Sequence, residues 1–350
     1  MRIRTTSGRT TLPTGAEDET LRIVTFGEML LRLQAPGHER LLRGSSLETH
    51  FGGSEVNVAV ALAHLSASAE VVTVLPENAI GDRAVEVLLA HGVEAHATRD
   101  AGRFGLYFAE RGRPPRPAQV LYDRSGSSFA AHTSWTRTVR WFDLLRGCAR
   151  FHTSGITPAL SPAAHRATAD ALEAARSVGT PTSFDLNYRG ALWPDEASAG
   201  DRLRPILHGV DLLIANAFHL ERCFGLRASA SDDAALSEQL AAACSDLGVQ
   251  SLALTDRREH EDGTQTFEAL LWRGRLERSR PWKLRETERI GSGDAFTAGL
   301  IYALAAEHED PIGLATAAGA FKLSEPGDWS TASLEEVETA RAGRTTGIAR

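Results

Sequence analysis

Lysine is almost absent from this 350-residue sequence: of 38 basic residues only Lys283 and Lys322 are lysines. A phosphate-binding loop of the Gly-x-x-x-x-Gly-Lys-Ser/Thr type needs a lysine that neither Trp282-Lys283-Leu284 nor Phe321-Lys322-Leu323 supplies, which excludes P-loop chemistry. Cysteine is nearly as scarce. Cys148, Cys223 and Cys244 form no Cys-x-x-Cys pair, so a disulfide framework is excluded and buried thiols in a reducing compartment are expected. No stretch reaches eighteen apolar residues, and the polar residues 1–20 lack the basic and apolar halves of a signal peptide; the expectation is a cytoplasmic protein that does not enter a membrane. Positive charge is not in excess either. A net charge of −7 argues against a nucleic-acid surface, which needs clustered cations to displace phosphate counterions. No His-Glu-x-x-His helix and no Gly-x-Ser-x-Gly elbow appears, removing the usual signals of zinc and serine hydrolysis.

What is present reads as a folded α/β chain, with 42% hydrophobic and 24% charged residues. Short apolar runs at 22–26, 70–75, 150–153, 182–186, 210–215 and 250–254 predict buried strands. Helical patterns alternate with them: Val56, Ala59, Val60 and Ala63 share one face, and 83–91, 163–178 and 234–247 follow the same period. Such alternation predicts a mostly parallel sheet covered by helices on both faces, with ligands at the carboxyl ends of its strands. Two segments break the pattern. Residues 28–51 and 104–123 read as extended pairs, the second interrupted by a proline-rich connector. Together they could form a small β lid carrying Tyr107, Tyr122 and Arg124, or a surface hairpin without ligand contact.

The most informative stretch is Gly291-Ser292-Gly293-Asp294, followed by an apolar helical run from Thr297 to Ala306. A Gly-Ser-Gly turn opening a helix leaves backbone N–H groups unpaired and free of bulky side chains, which makes an anion cradle. Asp294 at its lip would be held ionised by the helix field and able to accept a proton. A base beside a phosphate cradle suggests phosphoryl transfer to an alcohol. The plainer alternative is an ordinary helix cap with turn-forming glycines. A dinucleotide fingerprint is rejected, because the third glycine and a following βαβ unit are missing.

The Gly-Ser-Gly-Asp turn resembles the C-terminal signature of the ribokinase-type (PfkB) sugar kinases. Phe51-Gly52-Gly53-Ser54-Glu55-Val56-Asn57 resembles their N-terminal sugar-binding signature. Further segments resemble the 2-keto-3-deoxygluconate kinase branch: Gly105-Leu106-Tyr107, Val120-Leu121-Tyr122-Asp123-Arg124, Ser154-Gly155-Ile156-Thr157-Pro158 and Phe184-Asp185-Leu186-Asn187-Tyr188-Arg189. The similarity spans residues 21–343, leaving 1–20 as a flexible tail and 344–350 as a short one.

The resemblance implies a ribokinase-like, Rossmann-like sheet with a β lid drawn from about 28–51 and 104–123. It implies ATP and Mg²⁺ as co-substrates, with a K⁺ requirement left open. Asp294 would take the sugar hydroxyl's proton, and the N–H groups of Gly291, Ser292 and Gly293 would form the anion hole. Gly52, Gly53 and Asn57 would contact the sugar. Tyr107, Tyr122, Arg124 and Arg189 would meet a sugar carboxylate, Arg189 before Arg124, since a planar guanidinium binds carboxylate bidentately. Asn216, Thr255, Gly291 and Gly293 would hold the nucleotide. The sequence departs from the family pattern in four places: His219 stands where the acid that organises Mg²⁺ is expected, so no metal ligand is assigned; residues 254–260 replace the common nucleotide loop; Glu288 stands where Asp is commoner; and Asp123 stands where the acid-sugar branch often has a second Tyr. The expected product is a 6-phosphate of 2-keto-3-deoxygluconate, made by a homodimer paired through exposed lid edges. The alternatives are a kinase of a neutral sugar or nucleoside, favoured if both arginines point away from the cleft, and a sugar-binding protein that has lost catalysis.

Overall fold

A computed structural model describes residues 21–344 apart from 42, 114, 231, 286 and 287. The expected tail at 1–20, and all of the expected tail at 344–350 except Arg344, lie outside the described residues. The strands are β1 (Arg22–Phe26), β2 (Leu30–Gln34), β3 (Glu48–Gly52), β4 (Ser68–Pro76), β5 (Val93–Asp100), β6 (Gly105–Glu110), β7 (Gln119–Asp123), β8 (Arg150–Ser154), β9 (Thr182–Asp185), β10 (Leu212–Asn216), β11 (Ser251–Glu259), β12 (Gln265–Trp272), β13 (Leu276–Arg278) and β14 (Trp282–Leu284).

The main sheet has ten strands in the order β13-β12-β11-β10-β9-β8-β1-β4-β5, with β14 also paired to β12. From β5 to β11 every pairing is parallel, while β12 to β14 add an antiparallel margin. The apolar runs of β1, β4, β8 and β10 are buried on both faces, as a parallel sheet between helices requires. One face packs against the helices Pro162–Val178, Glu196–Leu207, Ala217–Phe224 and Asp233–Leu247. The other packs against Ser54–His64, Ser292–Ala305 and Pro311–Lys322. The chain runs outward from β1 in both directions, to β4 and β5 on one side and later to β8 on the other. That reversal opens a crevice at the carboxyl ends of β1 and β8.

The segments 28–51 and 104–123 come together in a second sheet of four strands, ordered β3-β2-β6-β7. In β2 the residues Leu30, Arg32 and Gln34 are buried, and in β6 Gly105, Tyr107 and Ala109 are, which is the alternation of a sheet with one face inward. Arg32 and Tyr107 are register partners in the parallel β2–β6 pair, and Tyr107 faces Tyr122 across β6–β7. The lid therefore turns Tyr107 and Tyr122 toward the crevice, with Arg32 buried beside Tyr107 on the same face. No helix among the described residues is long and apolar enough to cross a membrane.

Some expectations shift. The strand expected over 210–215 starts at Leu212, because Gly209 and Val210 form the turn into it. The segment 254–260 is not a loop. It continues β11 to Glu259, pairing antiparallel with β12 through Glu259↔Gln265.

Candidate active site

The crevice holds a cavity of about 590 Å³ to which the lid, Glu28 just after β1, the end of β9 and the start of the helix Ser292–Ala305 all contribute. Gly53, Asn57, Tyr107, Tyr122, Arg124, Arg189, Gly291, Ser292, Gly293 and Asp294 all line it, although they come from both ends of the chain. Gly52 does not. It ends β3 against the Asp328 side chain, which would overlap any Cβ placed there, so its role is packing under the site. Gly53 is held at φ 134°, where a Cβ would overlap the Glu28 carbonyl oxygen; only glycine brings this backbone to the cavity.

Asp294 lies in the first turn of its helix, capped not by Asp294 itself but by Gly291 at φ 83°. Ser54 Oγ donates to its Oδ1 at 2.9 Å and Asn57 Nδ2 donates to its Oδ2 at 2.7 Å. The helix Ser54–His64 and the helix Ser292–Ala305 thus meet at this carboxylate. The expectation that the helix field keeps Asp294 readily ionised needs correction. Burial raises its pKa above the ordinary carboxylate value, and the bonds from Asn57 and Ser54, with the charges of Arg189 and Lys322, only partly oppose this. A raised carboxylate is the stronger proton acceptor once ionised. Asn57 was expected to serve sugar hydroxyls; its amide nitrogen is committed to Asp294, while its buried Oδ1 has no hydrogen-bond partner among the described residues and is the atom left for a donor.

The anion cradle is partly occupied. Ser292 N–H reaches the Arg289 carbonyl at 3.4 Å, whereas Gly293 opens to empty space. Its first-turn N–H groups have no partner within the helix, which suits them to phosphate oxygens.

Tyr107 and Arg124 are not free donors. The Tyr107 hydroxyl donates to Asp328 Oδ1, and Arg124 Nε donates to Glu28 Oε2 at 2.8 Å, with Ser127 completing the buried pair. Arg124 is therefore neutralised in place, since a buried guanidinium needs its counterion. Tyr122, 42% exposed, stacks its ring 5.6 Å from that of Tyr107. Arg189 differs from Arg124. It is exposed, bonds only its neighbour Tyr188's carbonyl at 3.1 Å, and has no carboxylate within ion-pair distance among the described residues.

Residues that sequence reasoning passed over complete the floor. Arg32, 0% exposed, faces Asp328 Oδ2 at 3.0 Å beneath the lid, and burial pushes Asp328 up to about 6 despite that partner. Glu55, fully enclosed, accepts from Ser154 N–H, Ser154 Oγ and Thr157 Oγ1, tying the helix Ser54–His64 to the end of β8. Asp185 ends β9, its Oδ1 accepting from Asn187 N–H at 3.0 Å; burial and the nearby Asp294 charge push it up to about 7. Glu55 and Asp185 fall inside segments that carry the resemblance without being assigned a role of their own, and Asp328 lies outside those segments.

Asp185 has a measurable consequence. Its folded pKa lies above the ordinary 3.8, so the stability it contributes is full below about pH 4 and is lost as pH rises through about 7. Asp185→Asn keeps the acceptor and removes the charge. Its Tm relative to the parent is expected to rise between pH 5 and pH 8; a constant Tm difference across that range would contradict the assignment.

Beside the first cavity lies a second of about 580 Å³, walled by β11, β12 and the start of the helix Ala217–Phe224, with Asn216, Thr255 and Gly293 on its border. Gly291 faces the first cavity rather than this one. Asn216 caps the helix, its Oδ1 accepting from His219 N–H at 2.7 Å and its Nδ2 donating to His219 Nδ1 at 3.0 Å. Burial and Arg189 lower the His219 pKa, so the ring is neutral and one nitrogen is already used.

The model of the family described as "pfkB family carbohydrate kinase" matches residues 20–334. A 2-dehydro-3-deoxygalactonokinase of Haloferax volcanii is 35% identical over 335 residues, 95% of this chain and 100% of that protein. A 2-dehydro-3-deoxygluconokinase of Thermoproteus tenax is 31% identical, over 88% of this chain and 90% of that one. The crystal structure of a 2-dehydro-3-deoxygluconokinase from Thermotoga maritima superposes with a TM-score of 0.87 at 32% identity, covering 93% of this chain and 99% of that chain.

Proposed function

This chain belongs to the pfkB family of carbohydrate kinases, and from that premise we propose that it transfers the γ-phosphoryl group of ATP to the terminal hydroxyl of a 2-keto-3-deoxy sugar acid. The substrate read here is 2-keto-3-deoxygluconate, giving its 6-phosphate, with the galactonate epimer as the nearest competitor. The observation that carries the acid-sugar reading is Arg189: a guanidinium without a carboxylate partner among the described residues, in the cavity that also holds Asp294. A carboxylate ligand satisfies it bidentately, and a neutral sugar does not.

In this reading the sugar lies between lid and sheet, one hydroxyl donating to Asn57 Oδ1 and the reacting hydroxyl to Asp294. Asp294 takes that proton as the hydroxyl oxygen bonds to the γ-phosphorus. The bond from phosphorus to the β–γ bridging oxygen breaks, and its electron pair leaves on ADP. The Gly293 N–H and the helix dipole stabilise the transferring group's charge. The same turn was read as the catalytic cradle of Gly291, Ser292 and Gly293, and the second cavity with Asn216 and Thr255 takes the nucleoside.

The donor set also fits Mg²⁺. Asp185 is a hard oxygen donor whose ionisation is opposed by burial and by Asp294, the imbalance a divalent cation would relieve, whereas His219 is neutral and unsuited to a hard ion. When bound, the ion supplies neutralisation of phosphate charge, and Asp185 would hold it. The exposed outer strand β7 supports pairing of two lids in a homodimer.

An ADP-release assay with Mg·ATP and a panel of acid and neutral sugars tests the proposal. Turnover is expected with 2-keto-3-deoxy acids and at least tenfold lower kcat/KM with fructose or ribose. Preference for a neutral sugar would replace the reading, and no turnover with any sugar would favour a binding protein.

A further inference from the structure

The two cavities are not separate. Arg257 and Arg289 border both of them, at the place where they meet Gly293. Arg257, on β11, donates from Nη2 to Ser292 Oγ at 2.8 Å, and its guanidinium lies over the Phe267 ring, 5.2 Å from the centroid. Ser292 Oγ in turn donates to the Arg289 carbonyl at 3.1 Å. The guanidinium of Arg257 is thereby pinned at the first turn of the helix Ser292–Ala305, beside the open N–H groups. Arg289 reaches the same passage from the turn before that helix, its Nη1 on Glu259 at 2.9 Å in an exposed pair. Exposed pairs of this kind contribute little and yield readily to a stronger anion.

Any phosphate chain running from a nucleoside in the second cavity to Asp294 in the first must cross this passage. Resting on the kinase reading above, we propose that Arg257 and Arg289 bind the β- and γ-phosphates of ATP, two fixed cations at the point where charge moves onto the leaving ADP. Two guanidinium groups and a helix N-terminus on the border the two cavities share favour a polyanion, and the planar fork suits phosphate oxygens. Neither residue touches the sugar hydroxyl's proton. Their contribution falls on the nucleotide: contact with the phosphates, not with the base.

Calorimetric titration of ATP and of adenosine into the full chain with Mg²⁺ present tests this, using Arg257→Gln, Arg289→Gln and Arg257→Lys. Arg257→Gln is expected to weaken ATP binding ten- to a hundredfold and Arg289→Gln three- to tenfold, with adenosine affinity within twofold of the parent in both. Arg257→Lys, which keeps the charge and loses the fork, falls between. ATP affinity unchanged in both glutamine variants would overturn the assignment while leaving the kinase reading intact. Equal losses for ATP and adenosine would overturn it too, since they mark a structural role. A parent protein that binds neither ligand would bring down the kinase reading itself.

Discussion

Asp294→Asn is expected to fold, bind sugar and nucleotide, and turn over roughly 10²–10⁴ times more slowly than the parent. The reason lies in its two hydrogen bonds. Ser54 Oγ and Asn57 Nδ2 both donate to the Asp294 carboxylate. An asparagine can accept one of these through its oxygen, while its amide turns toward the other donor, a local change on two side chains that line a cavity. The lost function is larger: an amide cannot take the hydroxyl's proton as the phosphorus–oxygen bond forms. The pH profile adds a second readout. Burial raises the Asp294 pKa, and the base works only when ionised, so kcat/KM of the parent should rise with pH along an acid limb lying above the ordinary carboxylate range. The residual activity of Asp294→Asn should lack that limb. A variant with near-normal turnover would remove the base from this site.

The second large effect concerns Arg189. Arg189→Ala is expected to raise the KM for a 2-keto-3-deoxy acid about 10- to 100-fold, the loss of a charge-assisted hydrogen-bonded pair of about 1.5–3 kcal/mol. The KM for ATP should move by less than about threefold, on the argument that only the sugar carboxylate uses this group. Arg124→Ala is a poorer probe, because Arg124 is tied to Glu28 in a buried pair whose breakage leaves an unpaired charge. Equal changes in both KM values would show Arg189 acting on the site as a whole, through its charge near Asp294 and Asp185.

The fold was legible where burial dominates. Strands β1, β4, β8 and β10 are covered on both faces, so their apolar runs stand out from the polar turns around them. β5 is an edge strand whose residues after Val93 are polar or small and not buried, and it carries no such run. The antiparallel margin was missed for a different reason: β12 alternates buried and half-buried positions, and β13 and β14 are three residues each, too short to register a period. In the site, Gly291, Gly293 and Asp294 stood out because a glycine turn opening a helix imposes local residue choices, whereas Gly53 and Asn57 came from the family resemblance; all five line one cavity. Glu28, Glu55 and Asp328 were not. An isolated acid has no local pattern, and what makes each of these matter is a partner about a hundred or more residues away: Arg124, Ser154 and Tyr107. Arg124 illustrates the same limit from the other side, since only tertiary structure shows that its charge is already matched.

One chemical event at one carbon decides the matter. Phosphorus NMR of a reaction containing the parent protein, Mg·ATP and 2-keto-3-deoxygluconate should show a new phosphomonoester resonance split by two methylene protons, which places the phosphate on the terminal carbon, and the signal should be all but absent with Asp294→Asn. A phosphate on any other carbon, or an equal signal from the variant, would contradict the proposed reaction.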